Sequence, residues 1–179
     1  MENLLTAKQY FSLTDYDSRD MWELIKGVLK MSPAPMTVHQ KISGNLHLFL
    51  GTKFKRHEKF HVRYSPYDLN INETSVVQPD ICVIDNIQNE TKRYFEGVPV
   101  VIVEILSPSS VEYDSKRKYE LYEECGVPEY WIVSPFDEKI QVFRLEKGKY
   151  IKIGEFGQDS TFVSTALDGL NVIVNEVFY

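Results

Sequence analysis

The feature of the sequence that most constrains the fold is the apolar run VPVVIVEIL at residues 98–106, together with the two segments that follow it. Val100 to Leu106 is apolar on both faces except at Glu104, which is typical of a strand covered on both sides. The segment VEYDSKRKYELYEECG indicates an amphipathic helix closed by Gly126, and VPEYWIVSP indicates another strand. This order predicts a strand–helix–strand crossover, which is right-handed if the two strands are parallel.

A carboxylate inside such a strand loses hydration, so we expect either a raised pKa or a nearby cation at Glu104. Asp80 follows Pro79 at the start of another apolar run, ICVI. If the two runs pair in the sheet, both carboxylates meet beside low-dielectric walls and can bind a hard divalent cation, Mg2+ or Mn2+, through oxygen. Such an ion acts as a Lewis acid and generates a hydroxide nucleophile for phosphodiester hydrolysis. The alternative for Glu104 is a buried ion pair with a Lys or Arg.

The rest of the chain predicts short elements around this crossover. Lys26-Gly27 and Lys147-Gly148 indicate hairpin turns, and Glu23 falls in the first arm of the first hairpin. Apolar residues at helical spacing predict a long helix from Thr37 to about Arg56. The runs FHVRYSPYDLNI and SVVQPDICVID are β-like. We therefore expect an α/β or α+β fold, with a central mixed sheet flanked by helices and additional β-hairpins.

The composition indicates one acidic domain spanning residues 1–179. With 179 residues, 43% of them hydrophobic, the chain has the size of one domain with a sizeable core. Its net charge of -6 argues against a protein that coats nucleic acid by electrostatics alone, but a nuclease site is itself acidic and meets phosphate through a metal. No stretch approaches the ~18 apolar residues of a membrane span, and no basic N-terminal region precedes an apolar core. We expect a cytoplasmic protein with no membrane partner.

Three sequence blocks follow one another along the chain: QPDICVI, VVIVEILSPSS and YDSKRKYELYEECGVPEYWIV. In this order and spacing they resemble the small Uma-type endonucleases, a family first defined as a domain of unknown function. The chain is also similar to the wider PD-(D/E)XK nuclease superfamily, with Pro79-Asp80 as the first part of its motif and Glu104-Ile105 as the second. The resemblance extends from about Leu5 to Ile153. It implies a restriction-endonuclease-like core in which Asp80, Glu104 and the backbone carbonyl of Ile105 hold the metal.

The sequence departs from the superfamily motif at the lysine, because Leu106 stands two residues after Glu104. In the Uma-type pattern a lysine on the following helix, four residues after an aspartate, appears instead, and here these are Lys118 and Asp114. Lys118 would position the attacking water and offset charge at the phosphate. Lys116 is the rival, although it points roughly 160 degrees away from Lys118 on an ideal helix, so one of the two should face solvent. The alternative for Lys118 is a solvated charge in a salt-bridged helix.

Three more residues are candidates through the same resemblance. Glu23 matches an acidic position that the superfamily often carries near its first helix and strand, and would be a third ligand of the metal or of water. His39, in MTVHQKI, opens the second helix and would contact phosphate or orient an acid. Gln78 directly precedes Pro79-Asp80 and would support the strand geometry. The aromatic residues around the crossover are better explained by core packing than by base stacking: Tyr119, Tyr122, Tyr130 and Trp131.

The first functional hypothesis is a Mg2+-dependent endonuclease that hydrolyses DNA, with Asp80, Glu104, Lys118 and Glu23 as its catalytic residues. Because one such site cuts one strand, cleavage of a duplex needs two sites, and we expect a homodimer. The alternative is a non-catalytic module that binds nucleic acid or protein, which the missing lysine at position 106 and the acidic net charge support. A third possibility is a metal-dependent hydrolase of a non-nucleic phosphoester.

Overall fold

The structure, a computed structural model, describes residues 4–13, 21–31, 35–107 and 113–179, and for residues 113–115 it describes the backbone alone. Residues 14–20 and 108–112 and the side chain of Asp114 therefore lie outside the described part of the chain. The helices are α1 Ala7–Leu13, α2 Thr37–Phe54, α3 Tyr113–Cys125 and α4 Asn175–Phe178, and a 3-10 turn spans Ile87–Asn89. The strands are β1 Trp22–Ile25, β2 Val28–Met31, β3 His61–Tyr64, β4 Asp68–Asn72, β5 Ser75–Val77, β6 Ile81–Ile84, β7 Tyr94–Glu96, β8 Val101–Ile105, β9 Glu129–Ser134, β10 Lys139–Glu146, β11 Lys149–Phe156, β12 Thr161–Ser164 and β13 Leu170–Ile173.

The predicted crossover lies at the centre of a six-stranded mixed sheet, in the order β11-β10-β9-β8-β6-β3. Strands β8 and β9 are parallel and are joined by α3, which confirms the strand–helix–strand prediction. Gly126 ends α3 at a φ of 82°. Its N–H donates to the carbonyl of Glu123 and the N–H of Val127 donates to that of Tyr122, as in a Schellman cap. The cap therefore turns the chain from α3 directly into β9.

The expectation of one central sheet with added hairpins needs refinement, because a second sheet of five strands runs in the order β2-β1-β5-β4-β7. The two runs read as single β-like segments are each divided between the sheets. The first run splits at Pro66 into β3 and β4, and the second splits at Pro79 into β5 and β6. Proline has no N–H to continue a strand ladder, which explains both breaks. The predicted hairpins at Lys26-Gly27 and Lys147-Gly148 are present.

The six-stranded sheet carries a hydrophobic cluster on each face. Val101, Val103 and Ile105 of β8 pack in the cluster that contains Ile42 and Leu46 of α2. Ile102 packs in the other cluster, together with α3 residues such as Leu121 and Tyr122. Because side chains alternate along a strand, Glu104 lies on the face that α3 covers. Within the described residues, no helix combines the length and apolar character needed to cross a membrane.

Candidate active site

A cleft of about 590 Å³ opens where the end of β8 meets the start of β6. Its walls come from the five-stranded and six-stranded sheets and from α2 and α3, and they include every described candidate site residue from the sequence except Lys116. The residues discussed in the sequence analysis that line the cleft are Glu23, His39, Gln78, Asp80, Glu104, Ile105, Leu106 and Lys118. Lys116 is exposed on the other side of α3, so of the two rival lysines it is Lys118 that faces the cleft.

Asp80 and Glu104 come together because β6 and β8 pair antiparallel, with Ile81 opposite Val103. One further step in this register sets Asp80 opposite Glu104. Oδ2 of Asp80 accepts a hydrogen bond of 2.7 Å from the backbone N–H of Ile105, which fixes the aspartate against the end of β8. The predicted meeting of the two carboxylates is therefore present.

Lys118 reaches over β8 from the crossover helix to the carboxylates. Its Nζ lies 2.9 Å from Oε1 of Glu23 and 3.0 Å from Oε1 of Glu104. The hydroxyl of Tyr122, one helical turn further along α3, donates to the same Oε1 of Glu104 at 2.6 Å. The side chains of Lys118, Glu23 and Glu104 are only 14%, 3% and 13% exposed, so this ion-pair network is largely shielded from water. The alternative of a solvated Lys118 is wrong, whereas the alternative given for Glu104, a buried ion pair with a lysine, is present.

Burial and charge set the protonation of this network. Burial raises the pKa of Glu104, the charge of Lys118 lowers it, and the charges of Asp80 and Glu23 raise it, with a net pKa of about 7. Burial alone would lower the pKa of Lys118, but Glu104 and Glu23 outweigh it and the pKa rises. At neutral pH Lys118 therefore carries a full positive charge among the carboxylates, while Glu104 is poised between its two protonation states.

His39, in the first turn of α2, occupies the opposite side of Asp80. Its Nε2 lies 3.1 Å from Oδ2 of Asp80. Burial would lower the pKa of His39, but hydrogen bonds to Asp80 and to the backbone of Ile105, with the charge of Glu104, raise it. A protonated imidazole can only donate hydrogen bonds, so the backbone group of Ile105 that raises the pKa of His39 is its carbonyl. Among the described residues, none pairs with the buried Nδ1 of His39.

Glu23 is held from behind the cleft by Gln78. The backbone N–H of Gln78 donates to Oε1 of Glu23 at 2.8 Å, and the amide Nε2 of Gln78 donates to Oδ1 of Asp68 at 2.7 Å. The hydroxyl of Tyr10 donates to the carbonyl of Trp22 at 2.7 Å. Gln78 thus fixes both the buried carboxylate of Glu23 and the segment that leads into Pro79-Asp80, in agreement with its expected supporting role.

Sequence reasoning missed two of these contacts. Tyr122 was assigned to the core, and it is buried there, but its hydroxyl also binds Glu104. Its spacing of four residues from Lys118 was the available signal, since both residues then share one helix face. Asp68 lies in a strand of the other sheet, ten residues before its partner Gln78, and no local pattern marks it.

The donor set fits a hard divalent cation in its chemistry. Asp80, Glu104 and the carbonyl of Ile105 offer oxygen, the element that Mg2+ prefers. Within the described residues, no three His, Cys, Asp or Glu side chains converge as a ready-made metal cluster. Lys118 contacts the carboxylate of Glu104, and His39 contacts that of Asp80. A bound ion would therefore share these oxygens with Lys118 and His39.

Comparison with known proteins agrees with the resemblance drawn from the sequence. Residues 7–175 match the family model Uma2, described as "Putative restriction endonuclease". The fold matches a crystal structure described as "a putative nuclease belonging to DUF820 from Anabaena variabilis ATCC 29413", with a TM-score of 0.79, 18% identity and 97% of each chain covered. Among curated proteins, none matches this sequence. The solved structure supports the fold class predicted above.

Proposed function

The chain belongs to the Uma2 family, and from that membership and the geometry of the cleft we propose that it is a Mg2+-dependent endonuclease hydrolysing DNA phosphodiester bonds. The observation that carries the proposal is the opposition of Asp80 and Glu104 at the meeting of β6 and β8, with Lys118 above them. Two carboxylates and a lysine in a cleft can hold a divalent cation beside a phosphate and offset its charge.

Asp80, Glu104 and the Ile105 carbonyl would hold the ion, which when bound supplies a Lewis acid and lowers the pKa of a water molecule. Lys118 remains protonated at neutral pH and donates to a phosphate oxygen or to the attacking water. Glu23 keeps the ammonium of Lys118 over the cleft, and Gln78 fixes Glu23. His39 holds Asp80 from the side of α2.

The test is the Glu104→Gln variant, which keeps the size of the side chain and removes its charge. With Mg2+ or Mn2+, wild type should cleave plasmid or single-stranded DNA, and Glu104→Gln should lose cleavage and bind the metal more weakly in calorimetry. Glu120→Gln, at an exposed position on α3, is the matched control and should keep both activities. Thermal unfolding shows that each variant folds. Equal cleavage and equal metal affinity in wild type and Glu104→Gln would refute the catalytic proposal.

One observation favours the alternative, a non-catalytic nucleic-acid-binding or protein-binding module. Lys118 and His39 already contact the carboxylates of Glu104 and Asp80, and Leu106 stands where the superfamily has its lysine. Under this alternative the protein binds oligonucleotides or a partner, wild type cleaves nothing across DNA and RNA panels, and Mg2+ leaves its thermal unfolding unchanged.

We also propose a homodimer, because cutting both strands of a duplex requires two sites. Light scattering after size-exclusion chromatography measures the assembly directly. Dimer mass with double-strand cutting supports the proposal, whereas a monomer that only nicks plasmid contradicts it. The cytoplasmic location and the single domain over residues 1–179 stay predictions from the sequence.

A further inference from the structure

One wall of the cleft is a polar stripe along α2. Gln40, Ser43, Gly44 and His47 follow the i, i+3, i+4, i+7 spacing of one helix face, and all four line the cleft. Another face of the same helix carries the buried apolar residues Ile42, Leu46, Phe49 and Leu50. The polar stripe is therefore not used by the core and is turned toward whatever enters the cleft.

Tyr64, the last residue of β3, contacts the His47 end of this stripe. It pairs with Ile81 in the β3–β6 register, so it lies beside Asp80. The N–H of the next residue, Ser65, donates to the carbonyl of Asp80 at 3.1 Å, which holds the end of β3 against the carboxylate. The position of Tyr64 relative to Asp80 is therefore set by backbone pairing.

The ring of Tyr64 is both exposed and supported by a neighbouring ring. The residue is 53% exposed although it lines a cleft. The imidazole of His47 lies 4.1 Å from the ring, centroid to centroid, at an interplanar angle of 44°. His47 therefore supports the ring in a tilted contact while about half of the residue stays exposed. A supported and exposed aromatic ring is a usual platform for stacking a nucleobase.

The charges around the cleft favour an unpaired strand over a duplex. Among the described residues, the lysines and arginines that line it are Lys30 and Lys118. Duplex binding relies on many phosphate contacts from basic side chains, whereas single strands are also held by base stacking on aromatic rings. A cleft of about 590 Å³ has the size of a small-ligand pocket and suits a single nucleotide.

We propose that Tyr64, supported by His47, stacks an unpaired nucleobase next to the phosphate that is cleaved at Asp80 and Glu104. The preferred substrate is then single-stranded or locally unpaired DNA. This assignment rests on the proposed nuclease function and adds the substrate class to it. The α2 stripe faces the same nucleotide, where Gln40 and Ser43 can donate hydrogen bonds to its sugar or base.

The test uses single-stranded and duplex oligonucleotides that carry 2-aminopurine, a base whose fluorescence is quenched on stacking. Binding is measured with Mg2+ in the Glu104→Gln background, so that no turnover interferes. Tyr64→Ala should weaken single-strand binding roughly 5- to 100-fold and abolish the quench, whereas Tyr64→Phe should keep both because it keeps the ring. Phe136→Ala is the matched control, since Phe136 is 66% exposed in the turn between β9 and β10, and it should change neither.

Two further outcomes separate this assignment from the nuclease proposal. If the protein cleaves DNA but Tyr64→Ala binds and cleaves single strands like its parent, or if duplex is preferred, the stacking assignment is overturned and the nuclease proposal stands. If neither single strands nor duplex is bound or cleaved by any form, both are overturned. In otherwise wild-type protein, a rise in KM for single-stranded DNA with little change in kcat is the result expected for Tyr64→Ala.

Discussion

Replacing Lys118 by methionine tests the ion-pair network most directly. Methionine keeps most of the length and volume of the lysine but removes the positive charge between Glu23 and Glu104. Each contact is about 3 Å long, which at an effective dielectric constant of about 20 corresponds to roughly 5 kcal/mol of attraction before desolvation is subtracted. Removing one partner of such a buried pair costs about 3–5 kcal/mol, because the remaining charge is left without compensation. We expect Lys118→Met to lose that much free energy of unfolding at pH 7.

The pH dependence of this loss has a definite sign. Folding raises the pKa of Glu104 from 4.5 to about 7, so the folded state binds this proton more tightly than the unfolded chain. The contribution of Glu104 to stability is therefore greatest below pH 4.5 and is lost as the pH rises through 7. In Lys118→Met the pKa of Glu104 rises further, since the ammonium that lowered it is gone. The difference from wild type should then stay nearly constant between pH 5 and about 7, and grow as the pH rises above about 7.

Urea unfolding at pH 5 and pH 8 measures this difference for wild type, Lys118→Met, Glu104→Gln and the double variant. Lys116→Met, two residues away and exposed, is the matched control and should change the free energy of unfolding by less than about 0.5 kcal/mol. In the double variant the cost of Lys118→Met should fall by at least about 1 kcal/mol, because one of the two unpaired carboxylates is removed. A loss below about 1 kcal/mol at pH 8, or strict additivity of the two substitutions, would refute the reasoning.

Three further predictions concern single positions. Tyr122→Phe removes the donor to Glu104 and should cost about 1.5–3 kcal/mol in urea unfolding. It should also raise the pKa of Glu104 above about 7 in a carboxyl NMR titration. Glu90→Gln breaks a bidentate pair with Arg63, which holds the pKa of Glu90 below 4.5. It should cost about 1–2 kcal/mol at pH 7 and less at pH 3, because this stabilisation is present above pH 4.5 and is lost as the pH falls through the lowered pKa. Gly126→Ala places a Cβ at a φ of 82° and should cost about 1 kcal/mol, seen as a Tm lower by roughly 2–4 °C.

Each of these has a result that contradicts it. An unchanged titration of Glu104 in Tyr122→Phe would mean that the hydroxyl does not act on the carboxylate. A cost for Glu90→Gln that is equal at pH 3 and pH 7 would show that packing, not charge, holds this pair. A Gly126→Ala protein as stable as wild type would mean that the end of α3 relaxes, since a Cβ there meets no neighbouring atom and backbone conformation is its only cost.

The crossover was predictable because its signals are local. Each of its three parts is marked by residues close in sequence: an apolar run, an amphipathic segment closed by glycine, and a second apolar run. Strand β8, helix α3 and strand β9 lie at these three segments. Pairing of β6 with β8 was stated only as a condition, since antiparallel neighbours 20 residues apart leave no local mark. The division of the strands among separate sheets was not predicted, because strand patterns do not say which sheet a strand joins.

The same distinction applies to the candidate site. Asp80 and Glu104 were marked by carboxylates at the ends of apolar runs, and helical spacing placed Lys118 on a definite face of α3. The contact between Glu23 and Lys118 joins residues 95 positions apart in different elements, and it depends on how the two sheets pack. The contact between His39 and Asp80 likewise depends on where α2 lies over the sheet. The resemblance to the nuclease family could suggest Glu23 and His39 as site residues, but only the fold brings them next to Lys118 and Asp80.

The position of Lys118 explains how the chain can carry leucine at position 106. Leu106 follows Glu104 by two residues and continues the ladder, with its N–H donating to the carbonyl of Val133 at 2.8 Å. It lines the same cleft as Glu104, so a lysine there would bring a second ammonium to the carboxylates that Lys118 already contacts. Two ammonium groups in a shielded cleft repel each other, and one of them would lose its compensation. A Leu106→Lys variant alone should therefore be destabilised, whereas Leu106→Lys combined with Lys118→Met should recover stability and, if the lysine is catalytic, DNA cleavage. Loss of cleavage in the combined variant despite recovered stability would show that the lysine must come from α3.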